Sequence, residues 1–150
     1  MRSHLRRLHR DERGQMGGIE ALPFGLLIFV IGALLVGNAW QVIDTKLALV
    51  SAAREAARTY VEGDGTNDAA IAAARDAVEG HGRDPERIRV EIDAPQGFGR
   101  CAPVTVRVTY QVPAIPLPWI GGFGDGFTVS ARHSELVDPF RDGLEGTAAC

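Results

Sequence analysis

The side chains able to do chemistry are few, and their spacing does not assemble them. His4, His9, His81 and His133 are scattered without metal-ligand spacing. Cys101 and Cys150 fit neither a zinc pattern nor a redox pair. Asp64, Thr66 and Asp68 imitate the opening of a calcium loop, but Arg75 stands where the closing glutamate belongs, so the stretch reads as a helix-entry turn. The glycine-rich run 122–126 precedes a predicted strand instead of opening a helix, which removes the N–H cradle that a phosphate needs. Neither a serine elbow nor a metalloprotease motif occurs. No catalytic, cofactor-binding or metal-binding residues are expected, no cofactor is implied, and an enzyme is not.

What remains is the distribution of charge and hydropathy. Arg2, Arg6, Arg7, Arg10 and Arg13 precede a long uncharged run, whereas acids outnumber bases after Trp40, a balance that argues against a nucleic-acid surface. Residues 21–43 carry no charged side chain and, as a helix, would be roughly 35 Å long, against a hydrocarbon core of about 30 Å. A chain of 150 residues leaves too little protein to cover such a helix on every side. The run is therefore read as a membrane span. Only Lys46, Arg54 and Arg58 follow it closely, so the arginine-rich side is expected in the cytoplasm and the rest outside. Ala33 and Gly37 form a small-xxx-small pair suited to close helix approach. A second reading stays open: Gly37, Asn38 and Ala39 offer a small-x-small site at which a secretory signal would be cut after Ala39.

The expected organisation is a basic cytoplasmic leader over residues 1–20, a transmembrane helix over 21–43, an extracytoplasmic α+β domain over 44–137 and a flexible tail over 138–150. Helical character continues past Trp40, with Leu49, Ala53, Ala56, Ala57, Tyr60 and Val61 on one side and Asp44, Ser51, Glu55, Arg58 and Glu62 on the other. Asn67 is placed to cap a second helix whose stripe is Ile71, Ala74 and Val78, with Gly80 and Gly82 ending it. From Ile88 the period becomes two. Ile88, Val90 and Ile92 alternate with charged residues, Val104 through Val112 alternate with polar ones, and a third strand runs from Phe127 to about Val137. Strands in succession favour a three-stranded antiparallel sheet with the helices on one face, so the fold class is α+β.

Alternating directions along this meander send the loop 113–126 back towards the bilayer. It carries Ile115, Leu117, Trp119, Ile120 and Phe123, apolar surface that requires either a lipid interface, a partner, or the core itself to cover it. Outside the membrane Cys101 and Cys150 would pair with each other, pair between chains, or stay free.

The run 13–23, with Arg13, Gly14, Gln15, Gly17, Gly18, Glu20 and Pro23 ahead of the apolar stretch, resembles the start of a TadE-like pseudopilin of the tight-adherence (Flp) pilus, a type IV pilin-like family. The alanine-rich segment 52–58 and the valine-rich strand with its Pro/Gly/aromatic loop extend the resemblance over most of the chain. It implies a membrane-anchored structural subunit, with other pilin-like subunits or assembly proteins as partners and a prepilin peptidase as a processing partner. That peptidase would cut after a glycine, leaving a glutamate fifth in the mature chain. A cut after Gly14 makes Gln15 the first residue and Glu20 the sixth, and a cut after Gln15 makes Glu20 the fifth. The resemblance further implies that Glu20 pairs with a subunit's new amino terminus. The alternative for Glu20 is the headgroup zone, where a carboxylate favours a helix N-terminus. An uncleaved membrane-anchored accessory protein unrelated to filaments is the third reading of the chain.

Overall fold

The computed structural model describes residues 13–113 and 126–150, with side chains from residue 21 onward. Helix α1 spans Arg13–Glu62 and helix α2 spans Asn67–Gly80; a 3-10 turn at Pro85–Arg87 leads into strands β1 (Ile88–Asp93), β2 (Pro103–Val112) and β3 (Phe127–Leu136). The fold is α+β, as expected. The chain divides into two compact units, Met1–Ala39 and Trp40–Cys150.

In the first unit α1 begins upstream of its expected start, so residues from Arg13 belong to the helix and Pro23 lies inside it. Proline there removes the N–H that would reach the carbonyl of Ile19. Membrane helices tolerate such a gap because local adjustments and neighbours re-satisfy the carbonyl.

The second unit is built on the lower half of α1. Thr45, Ala48, Leu49, Ala52, Ala53, Ala56, Ala57, Tyr60 and Val61 are buried. Their alternating steps of three and one keep them on a single helical face. Alanines on that face let neighbouring elements approach closely. Helix α2 buries Ala70, Ala74 and Val78 against the same core. Its stripe runs through Ala70 in place of Ile71, which is half-buried. The N-cap is Thr66, in extended conformation and without a side-chain cap bond, one residue before the expected Asn67.

The turn between the helices depends on glycine. Gly65 has φ +65°, and a Cβ there would lie 2.2 Å from Cγ of Phe98. At the far end of α2, Gly82 has φ +68°. Its N–H donates to Glu79 O, and that of Arg83 donates to Val78 O at 3.1 Å. This is a Schellman ending with glycine in the left-handed region. Arg83 then ion-pairs with Asp44, tying the exit of α2 to α1.

The sheet has the order β1-β2-β3 with both pairs antiparallel. Val104, Val106, Val108, Tyr110 and Val112 of the central strand are buried and join the alanines of α1 in one core. On β3 the inward row is Val129 and Ala131, both buried, followed by half-buried His133 and Glu135. After Pro103 the outward row of β2 is polar, with Thr105, Arg107, Thr109 and Gln111.

The segment 138–150, expected as a flexible tail, is fastened instead. Cys150 is disulfide-bonded to Cys101 across a sequence separation of 49. Arg100 N–H donates to Glu145 O at 2.8 Å, and Val137 N–H to Ala102 O at 3.0 Å. Arg141 donates to Val61 O at 2.7 Å and lies over the Phe98 ring at 5.1 Å. That ring in turn meets Tyr60 edge-on at 5.7 Å. Leu144 packs on the core. Polar Asp, Arg and Gly residues have the composition of a solvated tail, but here their backbone and side-chain groups satisfy the end of α1 and the β1–β2 connection.

Candidate functional site

The feature that sets this chain apart from a soluble α+β domain is the surface of α1 ahead of its core-packed half. Leu22, Phe24, Leu26, Leu27, Ile28, Phe29, Val30 and Ile31 are all exposed, several of them by about 70%. Successive residues step by about 100° around a helix, so consecutive exposed apolar side chains mean an apolar surface on every side. Water is a poor solvent for that surface. One helical segment is long and apolar enough to cross a membrane, with a mean hydropathy of 2.2 over its most apolar window and none of that window buried. Asn38, an amide in this stretch, donates to Leu34 O at 2.9 Å, one turn back. Trp40 is 70% exposed where the second unit begins, and an indole suits a membrane–water interface. The apolar stripe continues on α1 through Ile43, Leu47 and Val50, beyond the expected boundary at residue 44.

Gly14, Gln15 and Glu20 lie on the helical backbone of α1, and their side chains lie outside the described residues. Ile115, Leu117, Trp119, Ile120 and Phe123 also lie outside the described residues. Cys101 and Cys150 are brought together within one chain, with Cα atoms 5.4 Å apart.

Among the described residues no group of His, Cys, Asp and Glu could hold a metal ion. A cleft of about 620 Å³ opens at the end of β1 and β2 between Arg87, Arg89, Tyr110 and Gln111. Among its described lining residues no hydrogen bond joins a hydroxyl to the carboxylate of Glu86. Arg58 is held above its ordinary value, first by the hydrogen bond from its guanidinium to Glu62 and then by the charges of Glu62 and Glu55. It stays cationic on the solvated side of α1.

Two groupings escaped the sequence. His133 and Glu135 bond to each other at 3.1 Å on inward positions of β3, a pairing that strict alternation from Val129 would have shown. Arg107 and Arg132 face each other across β2 and β3, which only the strand register reveals. Against known proteins, no family model, no curated protein and no solved structure matches this chain.

Proposed function

We propose that this protein is a TadE-like pilin-type subunit, anchored by α1 in the cell membrane, that serves as a structural component in the assembly of an Flp-type pilus or a related secretion machine. The observation that carries the reading is the exposed apolar helix continuing into a small α+β domain, because such a helix has no use in water and two in a membrane: anchorage and contact with other helices. The residues of the run 13–23 supply the family likeness. The arginine asymmetry puts the N-terminal side in the cytoplasm and the domain outside, and a disulfide suits that oxidising side. Partners are membrane lipid, pilin-like subunits and a prepilin peptidase acting at Gly14 or Gln15. The loop bearing Trp119 and Phe123 supplies further contact surface.

The mass of the intact chain extracted from its own membranes tests this reading. A mature start at Gln15 or Met16 supports it. A second reading, a secreted binding domain released after Ala39, is favoured by one observation: the boundary between the compact units falls between Ala39 and Trp40. A start at Trp40 would establish that reading and overturn the first.

The pairing role of Glu20 has its own test. Glu20→Ala is expected to leave insertion intact, since one carboxylate at the boundary contributes little to spanning, while co-purification with partner subunits falls several-fold. Unchanged co-purification and unchanged pilus formation would leave Glu20 in the headgroup zone.

A further inference from the structure

Three cations gather on the second unit close to where the apolar run of α1 ends. Lys46 follows Ile43 by three residues, about 5 Å along the helix axis. Its ammonium donates to the carbonyl of Ser130 on β3. Two residues further along that strand stands Arg132, directly opposite Arg107 on β2. Directly opposed residues in an antiparallel pair have Cβ atoms about 4.5 to 5.5 Å apart, and like charges there repel. Both arginines are exposed.

Nothing described on the protein neutralises them. Among the described residues the ion pairs are Arg58 with Glu62, Arg83 with Asp44, Arg87 with Asp84, and His133 with Glu135. Lys46, Arg107 and Arg132 belong to none. Glu91 is the register partner of Arg107 on its other side, yet forms no ion pair with it. The three cations instead line one open cleft of about 270 Å³ with Ser130 and Ala131. A cleft walled by ammonium and guanidinium groups presents fixed donors to a phosphate, and paired guanidinium forks suit its oxygens well.

The apolar surroundings identify the carrier of that phosphate. Ile43 lies three residues before Lys46, on the bilayer side and on the same face of α1, and is about half exposed. A headgroup held at Lys46 has apolar helix surface one turn away towards the span, which suits a molecule with acyl chains and does nothing for free phosphate. We propose that Lys46, Arg107 and Arg132 seat the phosphodiester headgroup of an anionic membrane lipid, with its chains running past Ile43 towards the bilayer. The inference rests on the membrane-anchored reading of α1. It gives the domain a preferred depth at the bilayer surface, because basic groups at that level are attracted to anionic headgroups.

The test uses the full chain in neutral detergent micelles, titrated separately with short-chain phosphatidylglycerol, short-chain phosphatidylcholine and inorganic phosphate. Amide chemical shifts of residues 130–132 are the readout. Phosphatidylglycerol is expected to half-saturate at a concentration at least about tenfold below phosphatidylcholine, and this advantage is expected to vanish in Arg107→Gln/Arg132→Gln. Lys46→Gln, an exposed helix position, provides a second variant should the double variant fail to fold, and circular dichroism reports that. Equal titration by the two lipids overturns the proposal, as does an unchanged advantage in both variants. Saturation by inorganic phosphate at the lipid's concentration would make this a free-anion site and overturn it too. Alkaline extraction of native membranes separates the two failures: a retained chain with no lipid preference sinks the lipid seat alone, whereas a released chain sinks the anchor with it.

Discussion

Ile31→Arg/Leu35→Arg is expected to remove the protein from the membrane. The two positions are one turn apart near the middle of the apolar stretch, and both side chains are exposed. Each arginine at a helix centre costs about 2.5 to 3.5 kcal/mol on the insertion scale. Together they oppose insertion by about 5 to 7 kcal/mol, roughly four orders of magnitude or more in the partition. An epitope placed after Cys150 is expected to be accessible on intact spheroplasts carrying the parent chain and hidden in the double variant. Ala69→Arg/Ala72→Arg, on exposed positions of α2 and beyond the residues that flank the apolar stretch, serves as the control and should change neither the location nor the accessibility. A double variant that still resists alkaline extraction would show that α1 does not hold the protein by spanning.

Loss of the disulfide has the second large effect. The bond closes a loop with a separation of 49, for which chain-entropy arguments give a stabilisation of about 4 kcal/mol. Cys101→Ser/Cys150→Ser in detergent micelles should therefore lower the melting temperature of the domain by on the order of 15 °C. The loss is expected to start locally. The amides of Arg100 and Cys101, which donate to Glu145 O and Val137 O, should exchange faster than those of β2. A melt within a degree or two of the parent would mean that the contacts of Arg141, Phe98 and Leu144 fasten this segment without the covalent bond.

How much of this was legible before any coordinates depends on how local each signal is. The three strands and their inward rows follow from alternation, since Val104 through Val112 can bury only one face, and the meander has the predicted antiparallel order. A helix long and apolar enough to span a membrane was legible because freedom from charge over such a length is itself a physical property of the segment. The stripe of α2 was misread by one position: Ile71 is the larger hydrophobe, but the buried positions, four residues apart, are Ala70, Ala74 and Val78, and Ile71 is half-buried beside them. The cap was misplaced for a similar reason, because Thr66 and Asn67 both have capping side chains and only the backbone decides between them. The fastening of residues 138–150 depends on partners far away in sequence, such as Val61 for Arg141 and Cys101 for Cys150. Local pattern carries no trace of such contacts. The opposition of Arg107 and Arg132 is likewise a property of register, so the cationic cleft could not be read from spacing alone.

The alanine face of α1 has a genetic consequence. Ala52, Ala53, Ala56 and Ala57 have no solvent exposure at all. At such positions the only smaller residue is glycine, which loosens the helix by roughly 1 kcal/mol, and every larger one must displace a packed neighbour at about 1 to 3 kcal/mol. Tolerated mutations in this stretch are thereby pushed to the opposite side of the helix. Over many generations of drift the chain should keep a nearly frozen alanine ladder on one side of α1, while Ser51, Glu55 and Arg58 on the other turn over freely.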